Sequence, residues 1–172
     1  ERAFDRLSKR FEITPEALAK ATPVQIEECI KAAGLYKGKT AAIQTASRAV
    51  LEKFGGSLKP VLALPLEEAR QTLTEMKGVG PKTADVVLLF SGQMPTIPVD
   101  THVNRVSKRL GLAPKDGDYE TVRCSLQALF PQKDYLAVHL LLIAHGRQYC
   151  KARNPLCQKC PANIYCPSRE TR

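Results

Sequence analysis

Three stretches of this chain carry residue types that can do chemistry. The first is Met76-Lys77-Gly78-Val79-Gly80-Pro81-Lys82-Thr83-Ala84. Two glycines flank one small apolar residue, and a proline then stands where a helix should open. Glycine allows unusual φ and close backbone approach, and the amides of an incoming helix N-terminus point outward with partial positive charge. Such a turn can hold a phosphate without reading what the phosphate is attached to, while Val79 anchors the hairpin in the core. A tight turn between two packed helices would also account for a lone Gly-x-Gly. The flanking helices and the adjacent lysines, Lys77 and Lys82, favour the phosphate.

The second stretch is Pro98-Val99-Asp100-Thr101-His102-Val103-Asn104-Arg105-Val106. Asp100 falls where a helix should begin, so it reads either as an ordinary N-cap or as a carboxylate presented at the mouth of a cleft. His102 is open in the same way, as a structural or a functional histidine. The third stretch is Cys150-x6-Cys157-x2-Cys160-x5-Cys166. Cysteines this dense call for a metal centre. A cubane iron–sulfur cluster takes four cysteines. Zinc competes, although its structural sites usually come as paired short knuckles, which the long first gap fits poorly. Paired disulfides fit least, because the first residues show no signal-peptide pattern. Cys29 and Cys124 stand apart on expected helices and read as buried fillers.

The elements that must position these residues are helices. Thr14-Pro15 and Thr22-Pro23 each carry a cap followed by proline, and Gly34 supplies a stop. The spacing predicts a helix over Thr40–Phe54 with Ala42, Ile43, Ala46, Val50 and Leu51 on its buried face, ending at Gly55-Gly56. Further helices are expected at Pro65–Met76, Thr83–Phe90, Thr101–Leu110, Tyr119–Phe130 and Tyr135–Tyr149. No segment alternates as a strand would, so the fold class is all-α with a cysteine-bearing tail. The connection Ser91–Val99, with Gly92, Pro95 and Pro98, is the best internal boundary. It divides the chain into residues 1–94 and 95–172, with the cysteine loop at 150–166.

Length and composition set the outer limits. The chain has 172 residues, with 26 Lys+Arg against 17 Asp+Glu and a formal charge of +9. A chain of this length buries enough surface for a real core without staples. Its 44% hydrophobic and 25% charged residues are those of a globular protein, not of a disordered one. The longest apolar candidate, Tyr135 to Ala144, is interrupted by His139 and falls short of the roughly 18–20 residues of a membrane span. The positive surplus suits a polyanion such as nucleic acid.

Taken together, the three stretches resemble the endonuclease III family of DNA repair glycosylases, the helix-hairpin-helix group with a Gly/Pro-Asp loop. Gly78-Val79-Gly80-Pro81-Lys82-Thr83-Ala84 matches the family hairpin, and Val99-Asp100-Thr101-His102 matches the loop of its catalytic aspartate. The eighteen-residue step from Lys82 to Asp100 and the cysteine spacing also match, as does Gly34-Leu35-Tyr36.

The resemblance implies two helical lobes, a helical barrel and a lobe with a [4Fe-4S] cluster on Cys150, Cys157, Cys160 and Cys166, with DNA held across the cleft between them. It implies a damaged nucleotide flipped out of the stack. Lysine at position 82 implies a bifunctional enzyme. The unprotonated amine of Lys82 attacks C1′, the base leaves, a Schiff base forms, and β-elimination cuts the strand; Asp100 assists departure of the base.

The expected DNA contacts are Lys77, Gly78, Val79 and Gly80 at the hairpin, His102 and Arg105 after the aspartate, and Arg147, Lys151 and Arg153 around the cysteines. Asn154 stands where relatives often carry a second cation. The expected substrates are oxidised pyrimidines in double-stranded DNA, and abasic sites. Oxidised purine is the alternative, and a non-catalytic damage-binding iron–sulfur module is a reading from another class. The family's first barrel helix has no counterpart here, so a monomer whose barrel is completed by an N-terminal segment is expected. Its setting would be the nucleoid of a prokaryote, or the nucleus or mitochondrion of a eukaryote.

Overall fold

The computed structural model describes residues 2–34 and 36–169, so Leu35 of the Gly34-Leu35-Tyr36 match lies outside the described residues. Among the described residues there is no strand. By contacts the chain forms two units, Glu1–Gly80 and Pro81–Arg172.

The first unit holds α1 (Arg2–Arg10), α2 (Pro15–Lys20), α3 (Pro23–Ile30), α4 (Tyr36–Phe54), the single turn α5 (Lys59–Leu62) and α6 (Leu66–Thr74). The Thr-Pro signals work as the sequence predicts. Thr14 Oγ1 accepts from the Ala17 amide at 3.3 Å. Thr22 and Gln25 form a reciprocal capping box, which satisfies amides that a helix start otherwise leaves without partners. The core of this unit gathers Leu7, Leu18, Ala21, Ile26, Cys29 and Ile30. Cys29 is thus the expected filler.

α4 differs from its sequence reading. It starts at Tyr36 rather than Thr40, and the residues it buries are Thr40, Gln44, Ser47 and Val50. The apolar pattern pointed to a neighbouring face. What stabilises the polar stripe is a tertiary bond: Gln44 Nε2 donates to the Ala21 carbonyl at 2.7 Å, at the end of α2. Replacing Gln44 by Leu leaves that carbonyl without its donor. Denaturant unfolding should register a loss of about 1–3 kcal/mol; an unchanged midpoint would mean that the bond contributes nothing net.

The second unit holds α7 (Pro81–Phe90), α8 (Thr101–Leu110), α9 (Tyr119–Leu129) and α10 (Tyr135–Gln148), followed by the cysteine loop with short 3-10 turns at Cys157–Lys159 and Asn163–Tyr165. Its core is made by Ile97, Val99, Val103, Val106, Val122, Leu126, Tyr135, Val138 and Leu142. Cys124 is exposed, not buried, because α9 turns Val122 and Leu126 inward and Cys124 lies on the opposite side.

The contact boundary at Gly80 lies earlier than the sequence boundary at 94/95, and the reason is physical. Thr96, Ile97, Pro98 and Val99 are not a solvated linker; all of them are buried in the second unit. The buried Asp85 of α7 is hydrogen-bonded to Thr96 within that segment. No helix among the described residues is long and apolar enough to cross a membrane.

Candidate functional site

At the hairpin, Gly78 has φ +91°, a conformation that side chains rarely adopt. The Val79 amide closes the turn on the Met76 carbonyl at 2.9 Å. Met76, only 3% exposed, is the buried anchor; Val79, the anchor expected from sequence, is half-buried, while Lys77, Gly78 and Gly80 are exposed. Gly80 is different in kind from Gly78. It has no positive φ, and a Cβ there would meet nothing within 4 Å, so nothing in the described structure demands glycine at that place.

Pro81 opens α7 and Lys82 follows it, exposed on the first turn. Asp100 is the N-cap of α8, with Oδ1 accepting from the amides of His102 and Val103, both at 2.8 Å. Both of its sequence readings therefore hold together geometrically. One oxygen is used to cap the helix, which holds the carboxylate in a fixed orientation. The half-buried Asp100 also lines an open cleft of about 290 Å³, together with Val99, Asn104, Lys108, Asp118 and Tyr119.

His139 of α10 holds the segment that leads to Asp100. It is 4% exposed, and its Nδ1 lies 2.9 Å from the Pro98 carbonyl. A carbonyl only accepts, so Nδ1 carries the proton. Burial lowers the His139 pKa below the ordinary imidazole value; the Pro98 bond and the charge of Asp100 oppose this, and the charge of Lys82 adds to it. Lys82 and Asp100 both act electrostatically on this one imidazole. In the sequence His139 registers only as a break in an apolar run, because its partner lies forty-one residues away.

His102 packs against Gly146. A Cβ on Gly146 would stand 3.0 Å from His102 Cβ and 3.1 Å from Val106 Cγ2, so any side chain there would require α8 and α10 to give by a few tenths of an ångström. Arg105, expected at DNA, spends its donors inside the protein. Nε donates to the Cys150 carbonyl at 2.9 Å, Nη1 to the Thr101 carbonyl at 3.2 Å, and Nη2 to the Gly146 carbonyl at 3.0 Å and to His102 Nδ1 at 3.1 Å.

The four cysteines of the third stretch line one cavity of about 70 Å³, beside Arg109 and His145. A water-sized sphere needs about 10–15 Å³ by the same measure, so the space suits a group of several atoms. Among the described residues, no three His, Cys, Asp or Glu side chains are grouped to hold a metal ion. Arg109 straps the loop from α8. Its Nη1 donates to the Lys151 carbonyl at 2.7 Å and lies 3.6 Å from Cys150 Sγ, and its Nη2 reaches the Ala152 carbonyl at 3.3 Å. His145 Nε2 lies 3.5 Å from Cys160 Sγ, and burial pushes the His145 pKa down. Arg147, Lys151, Arg153 and Lys159 are all exposed on or beside the loop.

A family profile described as the HhH-GPD superfamily of base excision DNA repair proteins matches residues 1–132. The chain is 36% identical over 165 residues to endonuclease III of Sulfolobus acidocaldarius, an alignment covering 95% of this chain and 72% of that protein. The chain belongs to the endonuclease III family. Another endonuclease III, from Thermotoga maritima, is 36% identical over 160 residues, covering 92% of this chain and 71% of that one. Among solved structures, a trapped endonuclease III–DNA covalent intermediate in an estranged-adenine complex superposes with a TM-score of 0.83 at 33% identity, over 96% of this chain and 74% of that one. The all-α helix-hairpin-helix fold is thereby shown, and with it a DNA glycosylase/AP lyase of base excision repair.

His139 makes the second unit sensitive to acid. Its folded pKa is depressed, so as pH falls below 6.5 the unfolded chain binds a proton that the folded chain refuses. Stability declines over that window until the folded imidazole titrates. His139→Gln keeps a donor for Pro98 but cannot titrate. Urea-unfolding free energies measured above and below 6.5 should lie closer together in the variant than in the parent chain, with His145 keeping its own share. An equal gap in both proteins would assign the pH dependence elsewhere.

Proposed function

We propose that this member of the family is bifunctional, with Lys82 as the nucleophile and Asp100 as the group that assists departure of the base. The observation that carries this reading is the joint placement of the pair. Lys82 stands on the first turn of α7, Asp100 caps α8, and α7 is bonded through Asp85 to Thr96 of the buried segment that leads to Asp100.

In the reaction the Lys82 amine bonds to C1′ of the deoxyribose, the glycosidic bond breaks, and the base leaves with the bonding pair and takes up a proton. The ring bond from C1′ to O4′ then breaks and O4′ takes up a proton as the amine nitrogen forms an imine with C1′; a proton is lost from C2′, and the C3′–oxygen bond breaks with the 3′ phosphate as the leaving group. A carboxylate beside the sugar stabilises positive charge as the base departs and helps to move protons. The double amide bond to Asp100 Oδ1 holds that carboxylate in place before substrate arrives.

Duplex DNA carrying damaged bases or abasic sites is the proposed partner of a monomeric enzyme. The open space at Gly80 supports phosphate binding by the hairpin amides, because a glycine that the protein's own packing does not require leaves the backbone uncovered. Arg147, Lys151 and Arg153 are proposed as phosphate contacts from the cysteine loop. Oxidised pyrimidines are the proposed lesions, on the resemblance to lysine-bearing, cluster-bearing members. A lesion panel in which oxidised purine is processed faster would replace that choice.

Cys150, Cys157, Cys160 and Cys166 are proposed to hold a [4Fe-4S] cluster. A single tetrahedral zinc draws its sulfurs to about 2.3 Å from one centre, whereas these cysteines surround a multi-atom space. When bound, the cluster supplies cross-linking of the loop that presents the cations. The purified protein should be brown, with roughly four irons per chain, and Cys157→Ser should lose colour and melt earlier. A colourless, zinc-containing protein would overturn the assignment.

Borohydride should trap a covalent adduct with abasic DNA, and Lys82→Gln should abolish it; undiminished trapping would reject Lys82. Asp100→Asn keeps an oxygen for the His102 and Val103 amides, so the fold should survive. Base excision should fall by about 10²-fold or more with DNA affinity retained. Loss of both together would make Asp100 structural.

A further inference from the structure

α7 carries Lys82 on its first turn and Asp85 on the next, and Asp85 is 0% exposed. Each carboxylate oxygen of Asp85 accepts from a different hydroxyl. Thr96 Oγ1 donates to Oδ1 at 2.9 Å, and the Tyr119 hydroxyl donates to Oδ2 at 2.7 Å. The same Tyr119 oxygen accepts from the Val99 amide at 3.3 Å. Thr96 and Val99 are the two ends of the buried segment that delivers Asp100 to its capping position. The helix of Lys82 therefore grips one end of the segment of Asp100 directly and the other through Tyr119 of α9, while His139 of α10 holds its middle through the Pro98 carbonyl.

We propose that Asp85 and Tyr119 form a clasp that sets the register between Lys82 and Asp100, and that both are positioning residues for base excision; the inference rests on Lys82 and Asp100 being the reacting pair. A buried carboxylate is a poor means of stabilising a core. An apolar side chain of similar volume would do as well or better. What the carboxylate supplies is direction. Its two oxygens have a fixed separation, and each accepts a bond of fixed length, so the loop can slide along α7 only by breaking one of them. Base excision requires Lys82 and Asp100 to meet one sugar together, and a displacement of about 1 Å can cost 10²-fold in rate. Attack on an already abasic site requires Lys82 but no departing base, so it tolerates a shifted Asp100.

The two steps therefore separate positioning from general loosening. Tyr119→Phe keeps the ring and removes the oxygen shared by Asp85 and Val99. Single-turnover base excision should fall by about 10- to 100-fold. Borohydride trapping on preformed abasic DNA should fall much less, and DNA affinity should stay at the parent value. Asp85→Asn, which retains an acceptor for Thr96, should keep more excision than Asp85→Ala. Melting curves and reaction amplitudes report the folded fraction of every variant. Parent rates for both steps in Tyr119→Phe would overturn the clasp, and so would a loss of equal size in both steps. Parent protein and Lys82→Gln are run alongside: if the parent shows no Lys82-dependent trapping, the assignment of the reacting pair fails instead.

Discussion

A buried extended backbone has to find hydrogen-bond partners outside any helix or sheet, and the segment from Thr96 to Val99 imposes that requirement on the whole second unit. Its amides and carbonyls are met piecemeal. The Thr96 amide turns back to Met94, the Val99 amide reaches Tyr119, and the Pro98 carbonyl accepts a hydrogen bond from His139 Nδ1. Proline at 98 removes one donor that would otherwise need an acceptor. α7, α9 and α10 each contribute a polar side chain to this one strip of chain. The position of Asp100, immediately after it, is therefore over-determined before any substrate arrives, which is the condition for catalysis by fixed charges.

The cysteine loop is organised on the opposite principle. It has little regular structure, and α8 holds it through its arginines. Arg105 and Arg109 donate to loop and helix-end carbonyls and to one sulfur, rather than pairing with carboxylates. Hydrogen bonds from a charged donor are stronger than those between neutral groups, and guanidinium groups can serve several acceptors in one plane. α8 thus carries its Asp100 cap at one end and straps the cysteine cavity along its length. Gly146 packs closely against His102, and Arg105 Nη2 donates both to the Gly146 carbonyl and to His102 Nδ1.

Local signals made much of this legible. Thr-Pro steps mark helix starts because a hydroxyl caps amides within three residues, and the Gly-Val-Gly-Pro turn and Asp100 cap are equally local. The four cysteines were legible as one group because their spacing is a one-dimensional pattern, and they line one cavity. The failures are all long-range. Asp85 sits in Ala-Asp-Val-Val-Leu-Leu as an ordinary helical aspartate, and only its meeting with Thr96 and Tyr119 gives it a role. The buried stripe of α4 misled for the same reason: Gln44 is inside because Ala21 offers a carbonyl, and no hydropathy pattern encodes that partner. Arg105 has the composition of a phosphate contact, and no local pattern shows that it also reaches the Gly146 and Cys150 carbonyls at the end of another helix.

The amine of Lys82 is proposed as the group that becomes bonded to DNA. Peptide mapping by mass spectrometry of the reduced adduct with abasic DNA tests it at the level of the atom. A sugar remnant is expected on Lys82 and on no other amine of the chain. A remnant mapped to another lysine, or to the N-terminus with Lys82 unmodified, would contradict it.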